Sequence, residues 1–222
     1  MNCNDFLFPL FLTLKVAGLA TLGALAMGVL AAYLLTRFTF PGRDWLDAAL
    51  TLPLVMPPTV LGYYLLVVIG RNGPLGRWLL DTFGITLMFT WQAAVIAASV
   101  VSFPLVFKSA RAALAGVDPD LENAARTMNQ SETAIFFRVS LPLAFRGILA
   151  GTLLAFARAM GEFGATLMVA GNLPGRTQTL SMAVYSAVQA GNDTLANWLV
   201  AVISVTCVLI LTVTSKLVKP KV

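Results

Sequence analysis

Apolar and polar positions along this chain fall in long blocks, without the short period of a half-buried strand or a surface helix. Five apolar blocks stand near residues 14–36, 47–69, 87–107, 146–170 and 198–217. Crossing roughly 30 Å of hydrocarbon takes about 20 helical residues, so each block predicts a membrane-spanning helix. The first has no basic segment before it and arginines after it, which predicts a retained span and not a signal peptide. The expected fold is all-α and integral to the membrane, one transmembrane domain over residues 1–222. The longest polar interruption, 108–145, lies between the third and fourth blocks.

Composition agrees with the pattern. Hydrophobic residues make up 58% and charged residues 11%, with mean hydropathy +0.83, whereas soluble domains carry roughly 25% charged residues. Lys and Arg number 15 against 10 Asp and Glu. This excess does not predict nucleic-acid binding, because the charges gather in short loops between apolar blocks. Histidine is absent, which removes His-based metal sites, triads and proton relays. The two cysteines, Cys3 in the N-terminal tail and Cys207 deep in the last block, support neither a disulfide framework nor a metal cluster. Cys207 is expected to be a small apolar filler.

Loop charge predicts orientation. Arg37, Arg43, Lys108, Arg111, Arg126, Arg138, Arg146, Lys216, Lys219 and Lys221 fall on one side, and Arg71, Arg77 and Arg176 on the other. The richer side is cytoplasmic, so the N-terminus is expected outside, the C-terminus inside, and 108–145 in the cytoplasm. Lys15 is expected to snorkel from the outer end of the first span. Small residues recur every fourth position at Ala20, Ala24, Gly28 and Ala32, and again at Gly147, Gly151, Ala155 and Ala159. Such stripes let helices approach closely, within the chain or at a dimer seam.

The polar stretch has helical logic of its own. Asp118 is an N-cap with Pro119 at the first helical position, and Asp120 and Glu122 suit the positive end of the dipole. Leu121, Ala124, Ala125 and Met128 share one face. Asn129 is suited to a left-handed stop, Ser131 to capping a second short helix through Phe136 and Phe137, and Pro142 to a turn into the fourth span. A short helix with such a face either rests on the membrane or docks in a partner's groove; alanines and scant basic charge favour the partner.

Glu122-Asn-Ala-Ala-Arg-Thr-Met-Asn129, nine residues, then Val139-Ser-Leu-Pro142 resembles the EAA loop of binding-protein-dependent ABC importer permeases. Ala124, Ala125, Leu141 and Pro142 match that pattern, and Asn129 stands where it has glycine. Asn123 occupies the first position with Glu122 displaced by one, and no specific ion pair is expected of Glu122. Arg158-Ala-Met-Gly-Glu-Phe-Gly-Ala165 resembles a motif of sulfate, molybdate and tungstate permeases. Phe40-Pro-Gly-Arg43, Leu52-Pro-Leu-Val-Met-Pro-Pro-Thr-Val-Leu-Gly-Tyr63, Phe83-Gly-Ile-Thr86 through Trp91, and Ser102-Phe-Pro-Leu105 are closer to molybdate than to sulfate permeases. The resemblance implies a type I importer in the bacterial or archaeal plasma membrane, with molybdate as cargo and tungstate a second substrate. It implies a second copy of the chain, two cytoplasmic ATPase subunits, an external molybdate-binding protein, and a coupling role for the loop at 118–142. No cofactor is expected on this chain; ATP and Mg would sit on the ATPase. The sequence agrees, since its single Lys-Ser/Thr pair, Lys108-Ser109, follows Phe107 and not the glycine of a phosphate-binding loop.

Pathway candidates lie in two spans. Pro57 and Pro58 interrupt the second, leaving amides from Thr59 onward at a half-helix N-terminus; this serves either a passing anion or packing alone. Arg158 and Glu162 share a helix face, as an internal or intersubunit pair shaping a gate, or with Arg158 meeting the dianion. Gly161 and Gly164 beside them are expected to admit another helix. Ser99 and Ser102 either line a polar path or bond their own backbone. The Gly/Pro-rich outer segments 70–86 and 171–197 suit docking of a binding protein. Rival readings are a sulfate or thiosulfate permease, an ion-driven carrier or channel acting alone, and a membrane-embedded enzyme, the last disfavoured because no paired intramembrane carboxylates are present.

Overall fold

A computed structural model describes the backbone of residues 4–218 and the side chains of 6–212. Cys3, Lys219 and Lys221 lie outside the described residues, and the Lys216 side chain outside the described side chains. The described chain is helical throughout, with eleven α-helices and one π-helical turn.

The scaffold is α1 (Asn4–Arg37), α5 (Trp91–Ala115) and α8 (Leu141–Met160). Thr90 caps α5 by accepting the Ala93 N–H at 3.3 Å, and Gly116 closes it. Leu12 and Val16 share a cluster with Ala93 and Ala94, while Leu35 shares one with Leu114, so α1 and α5 run parallel. Ala144 and Ile148 join the Leu35 cluster and Ala159 and Met160 the other, so α8 runs antiparallel to both. Both small-residue stripes are spent inside the chain: Gly28 faces Val106 and Phe107 of α5, and Gly147 and Gly151 face Ala113 and Ser109.

Because α1 and α5 are parallel, the chain must recross between them. It does so through α2 (Arg43–Val55) and α3 (Pro58–Ile69), which meet at 114°. Met56 and Pro57 each precede a proline and are both extended, with ψ of 143° and 135°, as the ring of the following proline demands. The block at 47–69, expected to be interrupted at Pro57 and Pro58, is a sharply bent pair. Four helices are long and apolar enough to span a membrane, five if the bent pair counts as one span.

The expected continuous span at 146–170 is also broken. Its helix begins earlier, at Glu132, running through α7 (Glu132–Ile135) and a π turn (Phe136–Ser140) into α8. Pro142 does not mark a turn; it lies in the first turn of α8, directly after the π turn. A π turn re-registers the hydrogen-bond ladder, which suits a proline with no N–H to donate. At the other end the helix stops at Met160, and α9 (Gly164–Ala170) starts after Gly161, Glu162 and Phe163. At the end lined by Ile69 and Phe89 lie α4 (Pro74–Phe83), α10 (Leu180–Gln189) and the start of α11 (Asp193–Val218). The outer segments thus carry helices of their own. Thr13 of α1 accepts the Leu180 N–H at 2.8 Å, fastening α10 to the scaffold.

Candidate functional site

At the end of the bundle marked by Arg37 and Leu114, the stretch between α5 and α7 carries one short helix, α6 (Pro119–Thr127). Its local chemistry follows the sequence: the Asp118 carboxylate accepts the Asp120 N–H at 2.9 Å, and Asn129 is left-handed with φ 57°. Ser131 caps α7 by accepting the Ala134 N–H at 3.3 Å. No residue of α6 is buried. Leu121 and Met128 are 49% and 74% exposed; Ala124 is exposed and Ala125 half-buried. The face expected to dock a partner is open, with Ala125 turned partly inward. Leu141 and Pro142 do not join it. Leu141 lines a groove with Leu25, Val29, Tyr33 and Phe136 between α1 and α8.

The inner side of α6 is polar. Glu122 Oε1 accepts from Ser140 Oγ at 2.6 Å, and Glu122 Oε2 accepts from Arg37 and Arg126, each at 3.1 Å. Arg37 also pairs with Glu132, and Arg126 donates to Glu132 Oε1 at 2.8 Å and to Asn123 Oδ1 at 2.6 Å. Burial pushes the Glu122 carboxyl up, but the Ser140 and Arg126 hydrogen bonds and the nearby Arg37 charge outweigh it, and the net shift is downward. Glu122, of which no ion pair was expected, is thus the hub of the cluster. Arg37 and Ser140 were missed as site residues. Arg37 read only as a loop charge, and nothing in a sequence pairs a residue with one 85 positions away. A second cluster at this end joins Asp47 of α2 to Lys108, at 2.6 Å, and to Arg111 of α5.

Deeper in the bundle the two helix breaks face each other. A Cβ on Gly164 would stand 3.1 Å from Pro58 Cβ and 3.4 Å from the Thr59 backbone nitrogen. One on Gly62 would stand 2.7 Å from Met168 Cβ and 3.0 Å from Ala165 Cα. So α3 and α9 touch almost backbone to backbone. Gly164 does admit another helix, as its sequence position predicts, while Gly161 meets only its own helix. Gly62 is the missed partner. The Arg158 guanidinium donates to Glu162 Oε2 at 2.7 Å, and Glu162 Oε1 accepts the Ala165 N–H at 2.8 Å. An unmatched N–H in hydrocarbon costs several kcal/mol; the Glu162 side chain, 2% exposed, meets that need for α9. Pro57 and Thr59 are exposed and Pro58 half-buried; Pro58 and Thr59 meet Gly164, beside Glu162 and its partner Arg158.

The remaining polar candidates are taken up locally. Ser99 and Ser102 donate to Val95 and Ala98 carbonyls of their own helix at 2.7 Å. Lys15 lies 3.7 Å above the Trp91 ring, a cation–π contact within the chain. Cys207 is half-buried and free. No cluster of metal-ligating side chains occurs among the described residues.

Comparison with known proteins agrees with this arrangement. Residues 8–222 match the family of binding-protein-dependent transport system inner membrane components. The chain is 52% identical over 178 residues to the molybdenum transport system permease protein ModB of Escherichia coli K12, covering 80% of this chain and 78% of that one. It is 34% identical over 199 residues to the sulfate transport system permease protein CysT of the same strain, covering 90% and 72%. Among solved structures, a bacterial ABC transporter involved in import of the acidic polysaccharide alginate superposes with TM-score 0.77 over 98% of this chain and 80% of that chain. At 14% identity that likeness is one of fold. The helical bundle, the open α6 and the match along nearly the whole chain make it a multi-pass membrane protein belonging to the family of inner membrane components of binding-protein-dependent transport systems.

Proposed function

We propose that this chain is the permease subunit of an ATP-driven importer of molybdate, with tungstate as a second substrate. The observation that carries this reading is α6, a capped helix with Leu121, Ala124 and Met128 open, on a chain that has no phosphate-binding loop. Such a helix receives movement from an ATPase that is another polypeptide. The stronger likeness to a molybdenum permease than to a sulfate permease supports the cargo.

In this reading two copies of the chain surround the pathway, two ATPase subunits dock on α6 from the cytoplasm, and an external binding protein delivers the dianion. The α6 end carries Arg37, Lys108, Arg111, Arg126, Arg138 and Arg146, and the opposite loops only Arg71, Arg77 and Arg176. That asymmetry supports a cytoplasmic α6, an outer N-terminus and an inner C-terminus. ATP binding closes the ATPase dimer, α6 moves, and the permease pair opens outward to accept the cargo; hydrolysis resets it. The junction of Pro58, Thr59 and Gly164 is the gate, with amides of α3 favouring a passing anion and the Arg158–Glu162 pair holding the α8–α9 break.

The test is ATPase activity of the complex reconstituted with its ATPase and binding protein. Stimulation by molybdate- and tungstate-loaded binding protein, but not by sulfate, is expected. Stimulation by sulfate alone moves the chain to the sulfate branch, and transport by the purified chain without ATP overturns the importer reading.

A further inference from the structure

No residue of α6 is buried, and among the described residues its carboxylate Glu122 reaches outside α6 to two places: Arg37 at the end of α1, and Ser140 at the π turn. Arg37 holds Glu122 of α6 and Glu132 of α7 at once. Arg126 holds the same two carboxylates from α6 itself, so it ties α6 to the helix that continues into α8 but not to α1. Two arginines and two glutamates balance in charge. The Arg37 and Glu122 side chains are only 28% and 20% exposed. They border a cavity of about 180 Å³ beside Tyr33, Thr36, Val117 and Pro119. Covalently, α6 is joined to α5 and α7 and not to α1.

We propose that Arg37 is a positioning residue for coupling, an ion-pair latch through which movement of α6 is passed directly to the first span. This rests on the importer reading above. With the latch intact, α1, α6 and α7 move as one body. Without it, α6 stays tied to α7 and the π turn through Arg126 and Ser140 but can tilt without carrying α1, so hydrolysis proceeds with less cargo delivered.

The test measures molybdate delivered per ATP hydrolysed in proteoliposomes of the full complex. Arg37→Gln is expected to lower this ratio about five-fold, the low end of measured coupling energies. Arg37→Lys, which keeps the charge but cannot fork between two carboxylates, is expected to restore part of it. Glu132→Gln, on a half-exposed residue, is expected to lower the ratio about two-fold. A purely structural role would lower complex yield, or both rates together, and leave the ratio unmoved. An unchanged ratio in Arg37→Gln overturns the latch. Should that variant fail to assemble, an unchanged ratio in Glu132→Gln overturns it instead. Failure of the importer reading is distinct: the wild-type complex itself would then show no ATP-dependent molybdate uptake.

Discussion

Glu122 and Leu121 are adjacent on α6 and do opposite things. Leu121 points its side chain into the open, 49% exposed, while Glu122 binds back to Arg37, Arg126 and Ser140. A charge at Leu121 should therefore damage docking and leave the loop intact. Leu121→Glu is expected to abolish copurification of the ATPase while membrane insertion and permease yield stay at wild-type levels. Ala125→Glu would act on both, because Ala125 is itself half-buried. The Glu122 shift also has a pH consequence. Its folded value lies below the ordinary 4.5, so its stabilisation is fully present above 4.5 and is lost as pH falls through the lower, folded value. Hydrogen-exchange protection of the α6 amides, corrected for intrinsic rates, should hold from neutral pH down to about 4.5 and fall only below it.

At the scale of helices, the two breaks are complementary. Prolines end α2 by removing donors and forcing extended backbone, while glycines and a capping glutamate begin α9. The helices α3 and α9 then pack at glycines, where any side chain intrudes. Gly62→Ala is expected to lower stability by about 2 kcal/mol, since its methyl group meets Met168 and Ala165 and overpacking costs of that order. Gly18→Ala, with open space at its Cβ, is expected to do the reverse and gain up to about 1 kcal/mol of helix propensity. Thermal unfolding of the purified permease in detergent checks both signs. The arm α2 has no buried residue; Asp47 fastens it to α5 by ion pairs, beside the half-buried Leu50 packed on the cluster of Leu35 and Phe107.

For the molecule as a whole, the proposed importer reading, with the bent pair as a fifth crossing, predicts that the α6 end and the α4–α10 end lie on opposite faces of the membrane. Cysteines at Gln130 and Arg176, both exposed, placed in a chain whose own two cysteines are replaced, report on this directly. An impermeant maleimide added to intact cells is expected to label Arg176→Cys and to label Gln130→Cys only after the membrane is opened. The reverse pattern would invert the topology and remove the docking reading of α6. The many exposed apolar side chains of α11, Trp198, Val205, Val208 and Leu209 among them, belong to a molecule surrounded by lipid or by a second copy, not by water.

Several features of this protein were legible in the order of its residues. The apolar blocks, the loop charge asymmetry, the caps at Asp118 and Ser131, the left-handed Asn129 and the small-residue stripes all arise from short-range chemistry or from transfer into lipid, which act on a chain without knowledge of its fold. The proline pair announced a break, though not its 114° bend, because proline removes a donor without setting where the next helix goes. Other features were decided only by tertiary packing. The break at Gly161–Phe163 was hidden because glycines and an i,i+4 Arg–Glu pair also fit a continuous helix; it became affordable where Glu162 could accept the Ala165 N–H and Gly164 could meet Pro58. Likewise Arg37 was one loop cation among many until the parallel run of α1 and α5 brought it to Glu122. Local chemistry is written every few residues, but which distant charges meet depends on how whole helices align, and that only the folded chain can set.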